Sequence, residues 1–136
     1  MAAEMTNNLE AIPFSYLVSS GAISASGTAS TTLTLASDSI FELHFFYGSS
    51  SLDAATDYRP NNFSAQITDQ ATGRQFSNAR IPQRMMVEIA ENGFPERRPI
   101  LFPRNTVFVF DFLNLSTSTA NTINIVLKGY KLFTRL

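Results

Sequence analysis

Apolar residues recur at every second position over much of this chain, the period of a strand that is half buried against a core. The clearest case is TVFVFDFLN, where Phe108, Phe110 and Phe112 share one face while Val107, Val109 and Leu113, with Asp111 among them, share the other. With both faces apolar, this strand is expected to be central, covered on both sides or covered outside by a partner. In NTINIVLKGYKLF, Ile123, Ile125 and Leu127 point one way, and Asn124, Val126, Lys128 and Tyr130 the other. SIFELHFFYG places Phe41, Leu43, Phe45 and Tyr47 on one face with Glu42 and His44 opposite, and only Phe46 breaks the alternation. NFSAQITD turns Phe63, Ala65 and Ile67 inward.

Turn signals separate these segments. FSYLVSS reads as a first strand; AISASG and STTLTLA follow as two antiparallel pieces turning at Gly27, with Leu33 and Leu35 facing inward. SSSLDAATDYRPNN is too polar for a core and makes a long connection. DQATGR is a turn in which Gly73 can supply the positive φ that hairpins require. IPQRMMVEIAENG fits two periods: Pro82 could open a helix closed by Gly93, or Met85, Val87 and Ile89 could line a strand. Its all-β neighbours favour strand or irregular structure. Residues 1–12 lack periodicity and are expected to form a flexible arm, leaving 13–136 as a single domain. The pattern as a whole, about eight short strands, is that of an all-β antiparallel sandwich.

Composition sharpens this picture. The chain of 136 residues holds twelve Phe, four Tyr and no Trp, and Ser and Thr fill twelve positions between Ser15 and Ser39. Aromatic and β-branched residues among small polar ones suit a pleated, half-buried surface better than a helix. The absence of Cys removes disulfides, thiolate nucleophiles and zinc–thiolate sites together, and fits maturation in a reducing cytoplasm. MAAEMTNNLEAIPF carries neither the basic nor the apolar stretch of a secretory signal, and no apolar run is long enough to span a bilayer as a helix. The net charge of −1 argues against general nucleic-acid binding. Charge is unevenly spread: residues 1–58 hold six acids and no Lys or Arg, whereas the rest hold ten bases and five acids.

Candidate chemistry is sparse. A hydrolase of the Ser or Cys type needs a base beside its nucleophile, and the single histidine, His44, sits mid-strand between Leu43 and Phe45. Glu42 and His44 share a strand face but lack an evident third metal ligand. The glycines are scattered singly at turns and form no phosphate-binding loop. No catalytic, cofactor or metal site is expected. The residues left over are basic and aromatic: Arg97, Arg98 and Arg104 with Phe94 and Phe102 in the proline-stiffened FPERRPILFPRN, and Tyr58 and Arg59 in the loop Asp53–Asn62. Arginines so placed can make charge-assisted hydrogen bonds to an acidic partner surface, and some of Phe46, Phe94, Phe102 and Tyr130 are candidates for an interface.

The arm, the Ser/Thr-rich strand pair, IFELHFFYG, the loop FPERRPILFPRN and the closing VFVFDFLNLSTSTANTINIVLKGYKLF together resemble the jelly-roll cement or decoration proteins on capsids of tailed bacteriophages. The likeness spans most of residues 13–133, and strand, Asn-Leu-Ser loop and strand ending in Gly are its most characteristic piece. It implies a jelly-roll sandwich and a non-enzymatic virion structural protein, made in the host cytoplasm, that oligomerises and binds the major capsid protein or another virion protein. A neck or tail position in the particle, or a carbohydrate-binding sandwich, are the alternatives.

Overall fold

The computed structural model describes residues 9–57, 60–84 and 99–134. Eight strands follow one another: β1 (Leu9–Ile23), β2 (Thr28–Thr34), β3 (Ile40–Ser50), β4 (Phe63–Asp69), β5 (Ile81–Pro82), β6 (Ile100–Phe102), β7 (Val107–Asn114) and β8 (Asn121–Thr134). They build two antiparallel sheets, β1-β8-β3-β6 and β2-β7-β4-β5. The first strand pairs with the last, the second with the seventh, the third with the sixth and the fourth with the fifth. The chain is thus one long hairpin rolled into two layers, and β3·β8 and β4·β7 are the pairs made by rolling. That is the jelly-roll arrangement.

The alternating apolar positions become the core between the layers. Phe108, Phe110 and Phe112 of β7 are fully buried against Ile123, Ile125 and Leu127 of β8, with Phe63, Ala65 and Ile67 of β4 beside them. Strands β7 and β8 are each central in their sheet, which matches their long apolar runs. Each buried Phe contributes roughly 1.5–3 kcal/mol from area removed from water. Phe108 meets Phe102 edge to face at 4.8 Å, and Phe110 stacks on Phe112 at 6.2 Å.

Three expectations are corrected. Strand β1 begins at Leu9, so Leu9–Ile12 pair with Lys131–Thr134 instead of belonging to an arm; residues 1–8 lie outside the described chain. AISASG and STTLTLA are not a hairpin. Ile23 ends β1 in one sheet, Ser24–Gly27 turns with Ser26 at φ 55°, and β2 starts in the other sheet. Gly27 marks the turn, but local signals cannot tell a hairpin from a crossover between layers. The third correction falls on β3. Phe41 and Leu43 point inward as expected, yet Phe46 is buried while Phe45 and Tyr47 are exposed. A β-bulge between Leu43 and Phe45 makes His44 an extra residue against β8, and every later side chain changes face.

Of the ambiguous IPQRMMVEIAENG, Ile81 and Pro82 form edge strand β5, and residues 85–93 lie outside the described chain. The turn at Gly73 has φ 71°, as DQATGR requires. Two buried amides tie the loops at the ends of the sandwich. Asn114 Nδ2 donates to the carbonyls of Ile23, Ser24 and Thr119 at 3.0–3.2 Å. The fully buried Gln83 donates from Nε2 to Asp53 at 2.8 Å and accepts from the Asn62 N–H at 3.0 Å.

Candidate functional site

Of the residues singled out from sequence, Tyr58, Arg59, Phe94, Arg97 and Arg98 lie outside the described chain. Arg104 is exposed at the tip of the β6–β7 turn, whose shape is set by Thr106 Oγ1 donating to the Pro103 carbonyl at 2.7 Å and by Asn105 at φ 61°. Phe102 is 6% exposed and packs on Phe76 and Phe108, so its ring belongs to the core. Arg104 and Phe102 do border one open apolar depression of about 520 Å³, with Ile40, Leu101 and Pro103. Phe46, also named as a candidate for an interface, is buried. Asn62 and Asn114, each the first residue of an Asn-x-Ser triplet, are both engaged by the fold: Asn62 Nδ2 donates to Asp53 at 2.8 Å, and Asn114 is buried.

The surface that the alternation did not reveal is created by the bulge. By register, the outer face of the β1-β8-β3-β6 sheet carries Pro13 and Leu17 from β1; Val126, Lys128, Tyr130 and Leu132 from β8; Ile40, Glu42, Phe45 and Tyr47 from β3; and Leu101 from β6, with Ala11, Ser15, Ser19, Asn124 and Ser49 completing it. At its centre Phe45, Tyr47 and Tyr130 are 40%, 37% and 37% exposed. The His44 ring meets Tyr130 at 5.1 Å, Phe45 lies 6.5 Å from Tyr47, and Lys128 Nζ sits 5.7 Å from the Tyr47 ring centroid. These side chains, with Pro13 and Gly129, surround a shallow depression of about 240 Å³. His44 Nε2 lies 2.5 Å from Glu42 Oε1, so the histidine is partnered. No group of three His, Cys, Asp or Glu that could hold a metal gathers among the described residues.

Gly129 fixes this geometry. It stands opposite Leu43 at the bulge, and a Cβ there would overlap the Glu42 carbonyl oxygen and lie 2.9 Å from its carbon. Only a glycine lets the two backbones approach so closely, and the approach holds His44 out of register. The outward aim of Phe45 and Tyr47 is therefore built into a rigid sheet and not into a loop.

The other outer face is different in kind. There β2 presents Thr28, Ser30, Thr32 and Thr34, all exposed, and β4 adds Gln66 and Thr68, while β7 contributes Asp111 and the half-buried Val107, Val109 and Leu113 between them. One layer of the sandwich thus turns mostly small polar groups to water, with its valines and leucine half-buried among them, and the other leaves aromatic rings and large aliphatic chains exposed. Isolated exposed apolar residues are ordinary, but apolar side chains drawn from four neighbouring strands of one sheet make this face the candidate contact surface. Rings half exposed beside a carboxylate, an imidazole and an ammonium can pack on apolar protein surface or on the face of a sugar, and can fix orientation by charge-assisted hydrogen bonds. No protein-family model matches the chain, and no curated protein matches its sequence.

Proposed function

We propose that this protein is a non-enzymatic structural component of a tailed-bacteriophage particle, a cement or decoration protein that self-associates and binds the major capsid shell. The observation that carries this reading is the contrast between the two outer faces of the jelly roll. Leu17, Phe45, Tyr47, Tyr130 and Leu101 stay exposed on one sheet while the other displays Ser and Thr. Interface centres are rich in aromatic residues and poor in charge, and jelly rolls are used in viral capsids. The exposed Arg104 turn, with Arg97 and Arg98, is proposed to grip acidic partner surface.

Sedimentation velocity over a wide concentration range, with co-sedimentation on capsids stripped of the protein, tests the reading. Self-association and saturable capsid binding are expected. A protein that stays monomeric and passes capsids by would refute it. Saturable binding to purified necks or tails in place of capsids would move its position within the particle.

A carbohydrate-binding module is the second reading, favoured by the three exposed rings around the depression beside Glu42, His44 and Lys128. It requires retention on a glycan array that is lost when Tyr47 and Tyr130 are replaced by Ser.

A further inference from the structure

We infer that the outer face of the β1-β8-β3-β6 sheet is a two-fold interface with a second copy of this chain, in which Glu42 of each copy meets Lys128 of the other. This rests on the self-associating reading above and names the surface that performs it. The register supplies the geometry. Glu42 lies beside Tyr130, and Phe45 beside Lys128, on neighbouring strands β3 and β8. The four side chains occupy the corners of a rectangle about 4.8 Å across the strands and about 6.8 Å along them. Glu42 and Lys128 stand at the ends of one diagonal, Tyr130 and Phe45 at the ends of the other.

A two-fold axis lying in the plane of contact and perpendicular to the first diagonal brings Glu42 of one copy over Lys128 of its mate, twice by symmetry. The same axis runs close to the second diagonal, so Tyr130 and Phe45 fall near it and pack on their own counterparts. Glu42 holds His44 Nε2 at 2.5 Å through one carboxylate oxygen and offers the other to the mate's Lys128, so the face is self-complementary in charge, with Tyr130 and Phe45 near the axis, the arrangement an isologous contact needs. A glycan would use the central rings but would leave the aliphatic chains on either side of them, Leu17 and Val126 toward β1 and Leu101 on β6, unused, which favours protein as the occupant.

Size sets the strength. Outward residues from Asn124 to Leu132 span nine positions of β8, and four strands set the width, so the flat footprint is roughly 500 Å². A standard interface buries about 800 Å² per partner. A reversible, concentration-dependent dimer is therefore expected.

The test is a charge-reversal cycle read by sedimentation equilibrium, with capsid co-sedimentation in parallel and circular dichroism to confirm folding. Glu42→Lys and Lys128→Glu each place two like-charge pairs in the contact and are expected to weaken dimerisation on the order of a hundredfold. The double variant is expected to restore it. Tyr130→Asp, which sets two carboxylates near the axis without touching the charge pair, is expected to abolish it. An oligomer indifferent to all four variants, or a double variant no better than the singles, overturns the inference and leaves self-association through another surface. A parent protein that binds capsids but stays monomeric overturns the inference alone. One that does neither also removes the reading beneath it. A monomer whose tyrosine fluorescence titrates with a glycan assigns the face to sugar and overturns it too.

Discussion

Replacing Gly129 by Ala tests whether the outward aromatic cluster is locked by the backbone. A Cβ at this position lies 2.9 Å from the Glu42 carbonyl carbon and 3.2 Å from Leu43 Cα, and overlaps the Glu42 oxygen outright. Ordinary carbon contacts sit at about 3.5–4.0 Å, so the bulge must move by more than half an ångström against two flanking strands. Overpacking of this kind costs typically 1–3 kcal/mol and more when backbone is what must yield; about 3 kcal/mol is expected here. Gly73→Ala is the control, because the two costs separate there: unlike Gly129, Gly73 has φ in the left-handed region, at 71°, and nothing lies within 4 Å of its Cβ. Its cost is the conformational one alone, about 1–2 kcal/mol. With 136 residues the unfolding entropy is about 0.29 kcal/mol/K, so Gly129→Ala lowers the melting midpoint by about 10 °C and Gly73→Ala by about 3–7 °C. Thermal unfolding followed by far-ultraviolet circular dichroism reads both. A Gly129→Ala protein melting within about 3 °C of the parent would refute the reasoning, since the bulge would then be free to relax.

Further substitutions probe the frame that holds this face. Phe110→Ala empties a fully buried site in central strand β7 and is expected to cost about 3–5 kcal/mol in urea unfolding, with Val109→Ala on the outer face costing less. Asn114→Ala removes the donor shared by the Ile23, Ser24 and Thr119 carbonyls and the acceptor for the Ser116 N–H, an expected loss of about 2–3 kcal/mol by the same measurement. Asp53→Asn keeps the shape but turns an NH₂ toward donors: the Ser50 N–H and hydroxyl, Asn62 Nδ2 and Gln83 Nε2 all point at this carboxylate. It is expected to destabilise by about 2 kcal/mol, as much as Asp53→Ala; an Asn variant as stable as the parent would show that the network tolerates a lost acceptor.

Most of the frame was legible in sequence because it rests on a period of two. Phe108, Phe110 and Phe112, Ile123, Ile125 and Leu127, and Phe63, Ala65 and Ile67 all take the faces their spacing assigns. Their central place in the sheets follows from apolar residues on both sides of β7. What alternation leaves open is the layer in which a strand lies. Ser24–Gly27 is as good a turn between sheets as within one, and only the long-range pairing of β1 with β8 and of β2 with β7 decides it. The start of β1 was missed for a related reason. Leu9–Ile12 are held by the ladder to Lys131–Thr134 while Ile12 and the next inward residue, Phe14, stay partly exposed, so no buried stripe marks them.

The candidate site was hidden by the same rule that exposed the core. A strict period puts Phe41, Leu43, Phe45 and Tyr47 on one face, and inserting one residue into the ladder at His44 sends the last two to the opposite side. The signal was present as Phe46, the one break in an otherwise regular run, and as Gly129, a glycine inside the long apolar strand opposite it. Either alone is ambiguous. Together they fit the bulge found here, where the extra residue brings the Glu42 carbonyl into the space a side chain at position 129 would fill. The arginines looked more like a docking device than the phenylalanines did, since charge stands out in a sequence and an aromatic strand is read as core. The register reverses that ranking for the residues it places. Phe102 serves the interior, while Phe45, Tyr47 and Tyr130 stand exposed on the outer face of the sheet.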